Sequence, residues 1–324
     1  MKRSERVAAV CALALSTAAA LATAADWPAK AIRMVVTFPP GGSSDIVARL
    51  LSAPLSEKLA QTIVVDNRGG GGGTIGGLVV ATAKPDGYTL MLSNTTPISI
   101  SPFMLDKPPY DAVKGFTHVF YIGSVPNVFV THPTVPVKNM SELVTWLRSP
   151  PKPVNYGSGG IGSIGHIVGE LFKNDTGAKM EHVGYKGSSP MHADLLGGQI
   201  LVAVDSLPQN VPYIQSGKLR GLAVTSPARM QMTPDVPTVV EVGMPKLVAE
   251  NFLGISGPAG LPRPVVEKMH AAMKEIAARP DFVKKLDELG VQGRPMTAAQ
   301  FTTFVTKQVA DWGGPVKASG AKLN

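Results

Sequence analysis

The sequence predicts an α/β protein, and three observations carry that prediction. Short β-branched runs alternate with amphipathic stretches from residue 32 to about residue 226, the pattern of strands interleaved with helices. The alternation comes as two successive series, the second beginning near "VNYGSGG". An extended run, "AENFLGISGPAGLPR" (249–263), then leads into an all-helical tail. A chain that leaves the first series through 118–133 and returns through 249–263 crosses twice between two lobes. Two such crossings make a hinge.

The first series opens with "IRMVVTF" (32–38) and "TIVVDN" (62–67), read as strands around a helix beginning near Ser43. Pro39 and Pro40 hold the approach to that helix extended. Gly41 and Gly42 permit close backbone contact, and Ser43, Ser44 and Asp45 are N-cap candidates ahead of Ile46, Val47, Leu50 and Leu51. Such a junction presents backbone N–H groups at the positive end of a helix dipole, which suits an anion. Pro54 predicts a kink or a restart in the helix. "TIGGLVVATA" (74–83) reads as a helix, and Pro85-Asp86-Gly87 as the turn into the strand that ends at Ser93-Asn94-Thr95-Thr96. Residues 118–133 read as two strand-like runs broken at Ser124 to Asn127. A short helix follows, capped at Asn139 or Ser141.

The second series repeats the style without a repeat of fixed period. A strand and a glycine-rich loop lead to the helix "HIVGELFKNDTG", closed by Gly177, then to the strand "KMEHVGYK" and the helix "SSPMHADLLGGQ". "ILVAVDS", a helix over 209–216 and "LRGLAVTS" complete it. In the tail, Val265, Val266, Met269, Met273 and Ile276 share one helical face. Pro280 starts a further helix, and "TAAQ" (297–300) is a capping box ahead of Phe301, Phe304, Val305 and Trp312.

Composition excludes several classes. Lys2, Arg3 and Arg6 precede an apolar, small-residue run from Val7 to Ala25, the form of an export leader cleaved near Ala24 or Ala25. Cys11, the one cysteine, lies inside it, too close to Arg6 for a lipid-attachment site. Without it, the remaining chain of about 300 residues has no disulfide, thiolate nucleophile or cysteine metal site. Its length favours two domains. The full chain carries 31 basic and 23 acidic residues with net charge +8. These are scattered, with no basic-aromatic interleaving, so nucleic acid is not an expected partner. A mild positive balance favours small anions.

Two stretches match G-x-G-x-x-G, Gly71 to Gly76 and Gly157 to Gly162. Neither is followed by the strand-end acidic residue that a dinucleotide site requires, so no nucleotide cofactor is expected. No G-x-S-x-G elbow is present for an α/β-hydrolase nucleophile. The six histidines never stand at i, i+4, which removes a helical metal face. His166, His182 and His192 have room to converge, but a satisfied structural histidine is the plainer role for each. Asp205 ends a strand, as a site residue or as a cap for "SLPQ". Three anion-friendly loops remain, at 39–45, at 93–96 and from Gly157 to His166. All lie beyond the carboxyl ends of strands, where open α/β sheets bind ligands.

"WPAKAIRMVVTFPPGGSSDIVAR", "VVDNRGGGGGTIGG", "KPDGYTL", "NYGSGGIGSIGH", "HVGYKG", "DLLGGQ", "VDSLPQ", "GKLRGLAVTS" and "GPAGLP" together resemble the tripartite tricarboxylate transporter receptor family, the Bug-type extracytoplasmic solute-binding proteins. The resemblance spans nearly the whole chain after the leader. It implies a two-lobed periplasmic-binding-protein fold of the second type, a Venus flytrap. Residues 26–123 with 252–324 would form one lobe and 124–251 the other. It also implies a monomer in the periplasm that takes a small carboxylate and delivers it to a two-component membrane permease, with no catalysis, cofactor or metal.

Carried over by motif, the first-lobe contacts are Phe38, Pro40, Gly41, Gly42, Ser43 and Asp45, with Pro39 in the same loop. Those of the second lobe are Ser158, Gly159, Gly160, Ser163 and His166, with Asp205 on the far wall. Ser93, Asn94 and Thr95 would read the rest of a dicarboxylate, aliphatic or aromatic. The sequence departs from the family's pattern at His182-Val183-Gly184-Tyr185 and at Asn67-Arg68-Gly69-Gly70, where glycine replaces proline, and at Pro54. Two other roles remain open at the level of sequence: a sensor that docks a membrane signalling protein, and an exported enzyme acting on a carboxylic acid.

Overall fold

A computed structural model describes residues 27–323. The expected leader lies outside the described residues. Strand β1 (Ile32–Val36) leads through a loop at 37–42 into helix α1 (Ser43–Leu59), which returns over the sheet to β2 (Ile63–Asn67). Helix α2 (Thr74–Ala81) then crosses to β3 (Thr89–Asn94). The three strands are parallel, with β1 in the middle. Helix α1 buries Val47, Ala48, Leu51, Leu55 and Leu59, each large side chain worth about 1.5–3 kcal/mol of burial. It runs through Pro54 without the expected restart. Pro54 and Leu50 are only half-buried, so the lost donor frees a carbonyl on the helix's outer side. Its N-cap is Gly42, in extended backbone, rather than Ser43, Ser44 or Asp45.

Strand β4 (Phe116–Thr131) corrects the expected break. It is one strand of 16 residues that changes partner where the polar residues fall. Residues 116–126 pair antiparallel with β9 (Glu250–Pro258), and 127–131 pair with the strands of the second series. That series runs α3 (Met140–Arg148), β5 (Asn155–Ser158), α4 (Ile164–Thr176), β6 (Glu181–Gly184), α5 (Ser188–Leu196), β7 (Val202–Ser206), α6 (Leu207–Gln215) and β8 (Arg220–Val224). Asn139 caps α3, accepting a bond from the Glu142 N–H. Among the described residues nine strands form one sheet, eight in the order β2-β1-β3-β9-β4-β7-β5-β6 and β8 beside β4 off that path. Strands β4 and β9 therefore join two α/β halves.

The crossing is tied by short hydrogen bonds. Asn127 N–H donates to Thr225 Oγ1 (2.8 Å), whose hydroxyl donates to the Ala249 carbonyl (2.5 Å). Thr95 Oγ1 accepts from the Phe252 N–H (2.9 Å).

Three helices follow β9: α7 (Arg263–Ala277), α8 (Pro280–Glu288) and α9 (Ala298–Ser319). Val265, Met269, Met273 and Ile276 of α7 share a core with Met34, Leu51 and Leu92 in the first half. The Thr297–Gln300 capping box opens α9 as the sequence predicts. Phe301 and Val305 of this helix pack with Val35, Val80 and Phe252, whereas Trp312 and Val316 join the second-half core around Ile167, Phe172 and Val204. Helix α9 thus lies across both halves.

Candidate functional site

Between the halves, four helices begin at one place. The N-caps of α1 (Gly42), α4 (Ser163), α5 (Gly187) and α6 (Ser206) all line a cavity of about 80 Å³. Each follows the carboxyl end of a strand. Only Ser163 caps its helix with a side-chain bond; the other three ends leave their first N–H groups without one. Four helix N-termini, each a positive dipole end, surround one space whose lining holds no lysine or arginine and one carboxyl group, that of Asp205.

Each loop is held from behind. In the first half, Asn67 Nδ2 donates to the Phe38 carbonyl (2.9 Å) and to Asp45 Oδ1 (3.0 Å), while Gly41 N–H and Arg49 Nε donate to the Asp45 carboxylate (both 3.0 Å). Burial pushes that carboxyl up, but bonds from Arg49, Gly41 and Asn67 outweigh it, and its pKa lies below the ordinary value. In the second half, Ser158 Oγ lies 2.7 Å from His182 Nε2 and accepts from Ser163 Oγ (3.1 Å). The His166 and His182 rings stack at 3.8 Å, and His166 Nδ1 accepts the Gly162 N–H (3.1 Å). Burial pushes His166 down to about 4 and His182 to about 3, so both are neutral at pH 7.

Helix α4 reaches the cavity because glycine lets it lie flat on the sheet. A Cβ at Gly165 would stand 1.9 Å from the Val204 carbonyl oxygen, and one at Gly169 would stand 2.3 Å from the Tyr156 ring. Asp205, near the end of β7, is buried; Ser188 Oγ donates to it (2.9 Å), and His192 Nε2 lies 3.6 Å away. Burial raises its pKa against the pull of His192, Ser188, the Ser206 N–H and Asn210.

The floor comes from the crossing strands, through Asn127 and Asn251, and from the end of β3, through Asn94 and Thr96. Asn94 Nδ2 is engaged by Thr37 Oγ1 (3.1 Å), and Asn251 Oδ1 accepts the Thr95 N–H (3.2 Å). The halves touch over the cavity: Gln209 Nε2 donates to the Gly41 carbonyl, and a Cβ at Gly41 would stand 3.1 Å from Ser189 Oγ. This is a closed arrangement. Ser206 Oγ and Gln209 Oε1 are buried here with no partner.

Of the residues singled out from sequence, Phe38, Pro39, Gly42, Ser43, Ser44, Asn94, Thr96, Gly159, Ser163 and Asp205 line the cavity together. Pro40, Gly41, Asp45, Ser158, Gly160 and His166 do not line it; they form or brace its loops. Ser93 and Thr95 bond inside the sheet, to Ser256 Oγ (2.9 Å) and to β9. His166 and His182 converge, but His192 stands apart beside Asn210 (3.1 Å). Among the described residues no three His, Cys, Asp or Glu side chains are grouped to hold a metal ion.

Sequence reasoning missed Asn127, Gly187, Ser188, Ser206, Gln209 and Asn251. Gly187-Ser188 carried a usable signal, since a glycine-serine pair opens its helix as Gly42-Ser43 opens α1. The asparagines carried none, because only the crossing brings them together.

The tripartite tricarboxylate transporter family receptor model matches residues 47–321. Protein BugT of Bordetella pertussis is 34% identical over 321 residues, 98% of each chain. Among solved structures, R. palustris Rpa4515 with adipate is 32% identical at TM-score 0.86, covering 92% of this chain and 99% of that one. MatC from Rhodopseudomonas palustris with bound malate is 28% identical at TM-score 0.84, covering 90% of this chain and all of the other.

Proposed function

The chain belongs to the tripartite tricarboxylate transporter receptor family, and from that premise we propose that it captures a small dicarboxylate in its cleft and delivers it to a two-component membrane permease. Members of this family are periplasmic solute-binding receptors, not enzymes. The observation that carries the ligand class is the meeting of four helix N-termini in a lining that has no cationic side chain. Backbone N–H groups there satisfy one carboxylate, and the Ser, Thr and Asn groups of the floor receive the remainder of the molecule. Adipate and malate in the similar structures support a carboxylate of that size.

The working division is 26–123 with 252–324 as one lobe and 124–251 as the other, with α9 lying across both. The protein acts as a monomer in the periplasm after leader cleavage near Ala24 or Ala25. Among the described residues no helix is long and apolar enough to cross a membrane.

A thermal-shift screen of residues 26–324 against mono-, di- and tricarboxylates tests the ligand class. At ~100 times its Kd a ligand adds about 2.7 kcal/mol, a clear rise in Tm. A dicarboxylate hit abolished by Gly42→Trp is the expected outcome. Gly42 has ordinary φ and no neighbour within 3.4 Å of its Cβ position, so the indole fills the cleft without breaking the fold. No shift from any carboxylate, with the protein folded, overturns it.

A further inference from the structure

Behind the crossing strands, on the side away from the cleft, lies a larger cavity of about 540 Å³. Its place follows from strand geometry, since successive residues point to opposite faces. On β9, Asn251 faces the cleft, while Glu250 and Phe252 line this second space. Tyr121, Phe252, Phe304 and Trp312 form aromatic walls; Tyr121 meets Phe304 edge-on with ring centroids 5.2 Å apart, and Phe252 meets it at 5.7 Å.

Among the described residues two charged groups of the lining, Glu250 and Arg294, make no ion pair within 4 Å; burial raises the Glu250 pKa against a bond from Ser124 and the charge of Arg294. Glu250 Oε1 is buried and has no hydrogen-bond partner. The Arg294 guanidinium lies at the rim over Phe304 (5.5 Å) and Tyr121 (5.9 Å). The other two are already paired, Lys246 with Asp175 (3.6 Å) and Asp311 with Lys307 (2.6 Å). A buried carboxylate oxygen with no donor is costly, and an exposed guanidinium offers a planar fork suited to a second carboxylate. A volume above about 300 Å³ is the size of a small-molecule site, and here the four aromatic side chains share the lining with Ser124, Gln292, Gln308 and the charged groups.

We propose that this cavity is a second ligand site, which takes a small zwitterion with an aromatic body. Its ammonium donates to Glu250, its carboxylate pairs with Arg294, and its ring packs against the four aromatic side chains. No part of the carboxylate cleft takes part.

Isothermal titration of L-phenylalanine into the protein and into Gly42→Trp tests this, with 3-phenylpropionate (no ammonium) and 2-phenylethylamine (no carboxylate) as paired probes. The expected result is one saturable site, unchanged in Gly42→Trp and weakened at least about tenfold for either analogue. Glu250→Gln and Arg294→Gln each weaken it similarly while leaving the Tm shift of the cleft ligand intact. Absence of saturable heat up to ~10 mM, equal binding of the three probes, or equal binding by Arg294→Gln overturns the site. Loss in Gly42→Trp overturns it too, by moving the heat to the cleft. Arg294 is at the rim, so its variant decides the matter even where Glu250→Gln fails to fold.

Discussion

Asp45 does not line the cleft, yet it shapes it more directly than most residues that do. One carboxylate holds the Gly41 N–H, the Arg49 guanidinium and the Asn67 amide, and so fixes the loop whose end is the N-terminus of α1. Asp45→Asn keeps the volume but loses the charge and reverses one donor–acceptor match. The expected cost is about 1.5–3 kcal/mol in urea unfolding, with weaker ligand binding beside it; an unchanged urea midpoint would refute this bracing role. The stacked histidines make a second prediction. Their pKa values are about 4 and about 3 in the folded protein, whereas the unfolded chain titrates near the ordinary value of about 6.5. Below that value the unfolded state binds more protons, so stability is fully present above pH 6.5 and is lost as pH falls toward 3. Urea titrations at pH 7, 5.5 and 4.5 should show this slope, and His182→Gln should flatten it.

At the scale of elements, the site is a matter of where helices start. The Pro39-Pro40-Gly41-Gly42 loop was legible in the sequence because its chemistry is local, prolines and glycines at the start of a helix, although the cap fell on Gly42 and not on the serines or Asp45. The same was true of the loop from Gly157 to His166 and of the Thr297 capping box. What stayed illegible is set by pairing across long stretches of chain. Ser124 to Asn127 look like a break until β9 and β7 supply two partners for one strand. The reach of α4 depends on Gly165 pressing against Val204, 39 residues away. Gly165→Ala places a Cβ inside the Val204 carbonyl, so the helix must lift. The expected cost is about 1–3 kcal/mol of overpacking, together with a fall in ligand affinity because an N-terminus leaves the cleft. Gly177→Ala is the control. It sits at the other end of the same helix with nothing within 4 Å of its Cβ position, and its left-handed backbone costs about 1–2 kcal/mol with affinity unchanged. If both variants bind alike, the close seat of α4 on the sheet has no bearing on the ligand.

For the whole molecule, closure rests on very few connections. Strands β4 and β9 join the halves, α9 leans on both cores, and across the cleft mouth Gln209 reaches the Gly41 carbonyl. That carbonyl can only accept, so the Gln209 amide nitrogen must face it, which leaves the buried Oε1 atom without a partner. Gln209 is therefore the side chain that ties the two sides of the cleft mouth together. Removing that tie lowers the population of the closed state in the ligand-free protein, and apparent affinity falls with that fraction. Gln209→Ala should raise the ligand-free radius of gyration in small-angle scattering, leave the ligand-bound value as in the parent, and weaken binding about two- to thirteenfold, the range a bond worth about 0.5–1.5 kcal/mol spans. A variant with the parent's radius in both states but weaker binding would assign Gln209 to ligand contact alone. Parent-like scattering with parent-like affinity would remove it from closure and recognition together, leaving the helix ends and the crossing strands to carry both.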